Sequence, residues 1–319
     1  MILTVTLNPA MDRLLFVNGF TFNVTNRISR REDCVGGKGT HVSVNLADLG
    51  ETSIATGIAM GETGKTILDA LERSGVTCDF VYSQAGESRT NYLLLDERTS
   101  TLICEKGPAV SGELLDAFSA HYGVLLEKTD CVVISGDASN FLTRAGVSLQ
   151  ESLLKSAREK RVKIVLDCSG AALLAGVQHR PFLIKPNAEE LSELTKLPTD
   201  TEEEIVRAIK SLTPYGIEII AVSMGKKGSI VKYYDEYYRC GIAELKPVNT
   251  IGCGDAYLSG MIYAIRHAFE PIRVMQFAAA CGSAGALNPL SVGLDRMVVE
   301  SLCDTILVEK MENERLCNT

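Results

Sequence analysis

Short, nearly uncharged runs rich in Val and Ile recur along this chain, separated by longer amphipathic stretches. A strand that is apolar along its whole length must be covered on both faces, and parallel neighbours need a crossover helix between them. Strands are expected at residues 2–7, 53–59, 131–135, 163–167, 182–185 and 218–223. Helices are expected at 40–49, 64–74, 111–127, 144–160, 188–195, 202–212, 255–267 and 272–287. That order predicts an α/β body with a mostly parallel central sheet covered by helices on both sides. Residues 12–35 and 78–105 break the rhythm and alternate like half-exposed β structure, as in Asn91-Tyr-Leu-Leu-Leu and Thr101-Leu-Ile-Cys. They read as a small β lid inserted into the body, too small to be a separate domain. The 319 residues are therefore read as one domain, 1–319.

Charge narrows the function. The formal net charge is −8, the pI is about 5.2, and no block of like charges occurs. A nucleic-acid or anionic-membrane partner needs a basic face, so neither is expected. A small anionic substrate is still compatible, because a few local Lys and Arg can hold one. Ten cysteines, none spaced as CxxC, read as a reduced, cytoplasmic protein rather than a disulfide scaffold. The long uncharged stretch from Val274 to Leu294 contains Gln276, Asn288 and Pro289 and is not a membrane span. The four histidines have no metal-ligand spacing.

Two glycine segments carry candidate chemistry. Gly36-Gly37-Lys38-Gly39 precedes a helix with Thr40 as a candidate N-cap. Such a segment either cradles an anion, with Lys38 as a mobile cation, or is a plain glycine turn. Asn249-Thr-Ile-Gly252-Cys253-Gly254-Asp255 opens a strongly apolar helix. The N–H groups of residues 252–254 would converge on one point, a nest for developing negative charge. Asp255 either takes a proton from a hydroxyl beside that nest or simply caps the helix. Cys253 reads as a small filler rather than a nucleophile. Gly64-Lys65-Thr66 resembles the end of a P-loop, but Ala59 stands where its first glycine belongs. Asn187-x-x-Glu190 follows a strand and is also an ordinary capping pattern. Ser223-x-Gly225-x-x-Gly228 is also compatible with a turn.

In order, these segments resemble the PfkB (ribokinase-like) family of carbohydrate kinases, and within it the 1-phosphofructokinase and tagatose-6-phosphate kinase branch. The resemblance runs through Thr6-Leu-Asn-Pro-Ala-Met-Asp12, Val24-Thr-Asn-Arg27, the GGKG segment, Gly86-Glu-Ser-Arg89-Thr-Asn and Glu105-Lys-Gly-Pro108. It continues through Leu166-Asp-Cys-Ser-Gly170, Lys185-Pro-Asn187-x-x-Glu190, Ser223-x-Gly225-x-x-Gly228 and Gly252-x-Gly-Asp255. It implies a ribokinase-like three-layer α/β/α sandwich with a small β-sheet lid. It implies ATP and Mg²⁺, with Asp255 as the base and the N–H groups of Gly252, Cys253 and Gly254 holding the transferring phosphoryl group. Asp12, Gly37 and His41 would face the sugar, and Arg27, Lys38 and Arg89 the phosphate it already carries. Lys185, Asn187, Ser223, Gly225, Gly228 and Asn288 would border the nucleotide. Asn187 and Glu190 would organise the metal through water. A homodimer through the lid is implied as well.

Two positions depart from the branch. An amide usually follows GGKG-x, and here it is His41. Ser-Gly-Ser-Leu-Pro is usual after the central strand, and here it is Ser135-Gly-Asp137-Ala-Ser139. An Asp137 facing a phosphate would repel it, so either that side chain points away or the acceptor is not the usual phosphosugar. Fructose 1-phosphate is the expected acceptor. The alternatives are tagatose 6-phosphate, an unphosphorylated sugar or nucleoside, and a sugar sensor without turnover.

Overall fold

The computed structural model describes residues 1–96, 100–136, 141–142 and 146–312. Strand β1 (Ile2–Thr6) leads into a hairpin, β2 (Ala10–Val17) and β3 (Ile28–Gly36). Then come α1 (Lys38–Asp48), β4 (Ser53–Met60), α2 (Gly61–Arg73), β5 (Thr77–Cys78) and β6 (Val81–Ser83). A second hairpin, β7 (Arg89–Leu95) and β8 (Ser100–Cys104), precedes α3 (Gly112–Leu126). The body continues as β9 (Cys131–Ser135), α4 (Leu149–Glu159), β10 (Lys163–Asp167), α5 (Gly170–Gly176), β11 (Leu183–Ile184), α6 (Ala188–Thr195), α7 (Glu202–Ser211) and β12 (Ile219–Ser223). It ends with β13 (Ser229–Tyr233), β14 (Glu236–Cys240), α8 (Cys253–Arg266), α9 (Pro271–Leu287), α10 (Arg296–Cys303) and β15 (Val308–Lys310).

Among the described residues the main sheet runs β15-β14-β13-β12-β11-β10-β9-β1-β4-β5, with β6 also on β4. Strands β12 through β5 in that order pair in parallel, and β13 to β15 add an antiparallel edge. Each parallel strand feeds two cores because its side chains alternate between faces. Val132, Ile134, Ile164 and Leu166 pack with Phe118, Tyr122, Leu153 and Ile209, from α3, α4 and α7. Val133 and Val165 pack on the opposite face with Val42, Leu46, Leu258, Met261 and Met275, from α1, α8 and α9. Two helical layers around one sheet are the expected three-layer sandwich. No described helix is long and apolar enough to cross a membrane.

The small sheet is β3-β2-β7-β8. It differs from the sequence expectation at one edge: β5 and β6, within or beside residues 78–105, pair with β4 and extend the main sheet. The small sheet's second half begins only at Arg89, and its first half begins at Ala10, not at residue 12. Thr40 is not the N-cap of α1. The helix begins at Lys38 with Gly37 as cap, and the Thr40 hydroxyl donates instead to the Gly36 and Gly37 carbonyls. Residues 137–140, Asp137 among them, lie outside the described residues, as does the expected helical start at 144.

Candidate active site

The parallel strands end in polar residues at one edge: Thr6, Ser135, Asp167 and Ser223. Asp167 is 1% exposed. Its Oδ1 lies 3.3 Å from Lys38 Nζ and 3.4 Å from Lys185 Nζ, and its Oδ2 is buried without a partner among the described residues. Burial disfavours the charge on Lys38, but Asp167 and Asp255 outweigh it and raise the ammonium pKa. In the sequence Asp167 stands only inside a motif, yet a carboxylate closing an apolar strand is itself a signal of a site.

Helix α8 starts over this edge. Its N-cap, Gly252, has φ 80°, and a Cβ there would stand 1.8 Å from the Ser291 carbonyl oxygen. No side chain caps the helix, so the first N–H groups, including those of Cys253 and Gly254, stay open to a ligand. Asp255, buried one turn in, does not cap it either. Its Oδ2 accepts from His41 Nδ1 at 2.7 Å. Burial pushes the Cys253 thiol up to about 11, which removes it as a nucleophile.

His41 is the position the structure changes most. It was expected to offer its imidazole to the acceptor. Instead it is 4% exposed, with Nδ1 on Asp255 and Nε2 facing Val35 O at 3.1 Å and Asp12 Oδ2 at 3.6 Å. Asp12 is also enclosed: Asn91 Nδ2 donates to Oδ1 at 2.8 Å and Ser291 Oγ to Oδ2 at 2.9 Å. Gly36 is required beside it, because a Cβ there would lie 1.9 Å from Asp12 Oδ1. Burial raises the Asp12 carboxyl, but His41 and the two hydrogen bonds outweigh it and hold the group below its usual range. Asn91 and Ser291 had not been singled out; only tertiary contact reveals them.

A cavity of about 570 Å³ opens on the other side of the α8 start. Lys185, Ser223, Gly225, Gly228, Gly254 and Tyr257 line it, so four expected nucleotide-side positions face one space. Asn288 does not. Its amide is spent on the turn after α9, donating to Val292 O and Gly293 O and accepting from Leu290 N. Asn187 and Glu190 form a capping box on α6, with Asn187 Oδ1 on Glu190 N at 2.8 Å and Glu190 Oε2 on Asn187 N at 2.9 Å. That leaves Glu190 Oε1 beyond the cap.

The small sheet brings Arg89 to its base, where Nε donates to Asn8 O at 3.3 Å. Arg27 is not brought in. Asp12 pairs with Cys34, whereas Arg27 follows the last pair, Val17 with Ile28, five steps away and exposed. Five strand steps already put the Val17–Ile28 pair about 17 Å off, and Arg27 lies beyond it.

The sequence profile of the pfkB family of carbohydrate kinases matches residues 4–290. This chain belongs to that family. A possible 1-phosphofructokinase from Thermotoga maritima is 29% identical and superposes with a TM-score of 0.86 over 98% of this chain and 99% of the other. Phosphofructokinase-2 from Escherichia coli, in complex with substrates and products, is 22% identical with a TM-score of 0.86 over 95% and 98%. The tetrameric inhibited form of the same enzyme gives 0.82, also at 22% identity and the same coverage. These two E. coli likenesses concern the fold. The pfkB chain described here is therefore a mixed α/β carbohydrate kinase in which a small separate sheet adjoins the strand ends.

Proposed function

We propose that this pfkB protein transfers the γ-phosphoryl group of ATP to a hydroxyl of a ketohexose phosphate, with fructose 1-phosphate as first acceptor and fructose 1,6-bisphosphate as product. The observation that carries the reading is the buried Asp255 beside the uncapped start of α8, between the Asp12 cluster and the 570 Å³ cavity. The Thermotoga relative's description as a possible 1-phosphofructokinase supports the acceptor class.

Asp255 Oδ1 takes the hydroxyl proton as that oxygen attacks the γ-phosphorus and the bond to ADP breaks. The open N–H groups at Gly252, Cys253 and Gly254, with Lys185 beside Gly254, face the charge that develops on the phosphoryl oxygens. Lys38 supplies a cation from the acceptor side, and Arg89 would reach an acceptor phosphate. The residues fit a magnesium–triphosphate: Glu190 keeps Oε1, and Asp167 Oδ2 is a buried acceptor without a partner among the described residues. Asn187 and Glu190 would hold Mg²⁺ through water, and the ion would neutralise phosphate charge. Exposed Ile28, Leu102 and Ile103 on the small sheet support a homodimer joined there, with that sheet closing over the acceptor.

Arg27's distance from Asp12 favours a second reading, a kinase of an uncharged sugar. An ADP-release assay with ATP–Mg²⁺ separates the two. Fructose 1-phosphate, fructose 6-phosphate, tagatose 6-phosphate, free hexoses and nucleosides are compared. One phosphoketose at kcat/KM of about 10⁴ M⁻¹s⁻¹ or above is expected. Activity on neutral sugars alone would establish the second reading, and acceptor binding without any turnover a sensor.

A further inference from the structure

His41 stands where the family's amide is usual, and its surroundings leave the acceptor nothing to bond. Nδ1 faces the Asp255 carboxylate, and Nε2 faces the Val35 carbonyl with the Asp12 carboxylate behind it. All three partners only accept. A neutral imidazole has a single N–H and would set a lone pair against one of them. The geometry is satisfied by the imidazolium.

We propose that His41 is a positioning residue: as an imidazolium shared by Asp12 and Asp255, it fixes the rotamer of the base and offsets half the carboxylate charge facing the incoming triphosphate. This rests on the kinase reading above. With Oδ2 held by His41, Asp255 Oδ1 is left without a hydrogen-bond partner among the described residues, and that oxygen receives the hydroxyl proton. A neutral ring would leave two bare carboxylates at the site of a polyanion. The bridge also couples the lid to the base, because Asp12 belongs to β2 of the small sheet and Asp255 to α8 of the body.

The groups around the ring agree with a persistent charge. Burial opposes the imidazolium, yet Asp12 and Asp255 lift its pKa to about 10. From β3, the Cys34 thiol is pushed up to about 11 by burial and stays protonated. Asn91 of β7 and Ser291 are neutral and bond to Asp12. Lys38, one turn earlier on α1, pairs with Asp167. Lys38 also feels the Asp255 charge, but among the described residues only His41 pairs with both carboxylates.

Two measurements test the bridge. In the first, kcat and KM of the wild type, His41→Leu and His41→Asn are followed from pH 6 to 10.5. His41→Leu is expected to lose about 100-fold in kcat, the size associated with a small displacement of a reacting group, with less change in acceptor KM. His41→Asn, which keeps a donor toward Asp255, recovers part of the loss. The wild-type decline in kcat as pH approaches 10 is absent from both. A His41→Leu enzyme with wild-type kcat, or a His41→Asn enzyme with the same alkaline decline, overturns the proposal. In the second, ring-nitrogen NMR is recorded on a chain whose other histidines, His121, His179 and His267, are replaced by Gln. Two ring N–H protons at pH 7.5 are expected, and only one overturns the bridge whether or not the His41 variants fold. A wild type that turns over no acceptor counts against the kinase reading instead, and the NMR result still decides the protonation.

Discussion

Asp255 and His41 show how far a single side chain can be read before its neighbours are known. An Asp in the first turn of a helix is ordinarily a cap; this one bonds through Oδ2 to an imidazole from another helix, and Oδ1 has no hydrogen-bond partner among the described residues. Asp255→Asn is therefore expected to bind nucleotide normally, measured by calorimetry, while kcat falls by about 10³-fold. Turnover near the wild-type value would remove Asp255 from the mechanism. His41 also makes stability depend on pH. Its folded-state pKa lies above the ordinary 6.5, at about 10, so the folded chain holds the proton more tightly than the unfolded one. That stabilisation is complete below pH 6.5 and fades as pH climbs through 10. The melting temperature should fall steadily between pH 6.5 and 8.5, before cysteine titration intervenes, and His41→Leu should flatten that slope. An unchanged slope in the variant would mean the ring is neutral when folded.

Helix starts carry the chemistry at the next level. Helix α8 opens without a side-chain cap and with a left-handed glycine, whereas α6 and α7 open with complete capping boxes. An uncapped start on a 14-residue helix leaves N–H groups for a ligand, which a Ser or Asp cap would have consumed. Gly252→Ala would need both a left-handed Ala and a shift of the Ser291 carbonyl. It is expected to cost about 1–2 kcal/mol from the backbone alone, to lower the melting temperature, and to abolish most turnover. An active, equally stable Gly252→Ala would show that the turn is not needed in this form. The β13–β14 hairpin escaped sequence reading for a related reason. Its turn holds Tyr234 at φ 54°, where Gly or Asn would have announced it.

For the whole molecule, the small sheet poses the remaining question of assembly. Residues Ser100–Cys104 of β8 are exposed throughout, with Leu102 47% and Ile103 51% accessible. An edge strand of this kind is a ready surface for a second chain. Ile103→Asp is expected to convert a dimer to a monomer in analytical ultracentrifugation, because a buried unpaired carboxylate is strongly disfavoured. Activity should fall with it if closure of the small sheet over the acceptor depends on the partner. A variant that sediments like the wild type would place the interface elsewhere.

The layered body was legible from the chain because its signal is local: fully apolar strands announce burial on both faces, and helical periodicity supplies the cover. The strand spans 131–135 and 163–167 and the helix span 188–195 coincide with the structure for that reason. The glycine turn at Gly252 and the place of Asp255 in the first turn of α8 were legible too, since both depend on residues adjacent in sequence. What required the fold was every relation across distance. His41 lies 214 residues from Asp255, and Ser291 lies 279 from Asp12. No periodicity encodes such pairings; the first arises where α1 packs on α8 and the second where β2 of the small sheet meets the loop after α9. Asn288 is taken up in the turn after α9, and Arg27 lies just before β3 at the far end of the β2–β3 hairpin. Side-chain type told what chemistry was available, and packing assigned each group its partner.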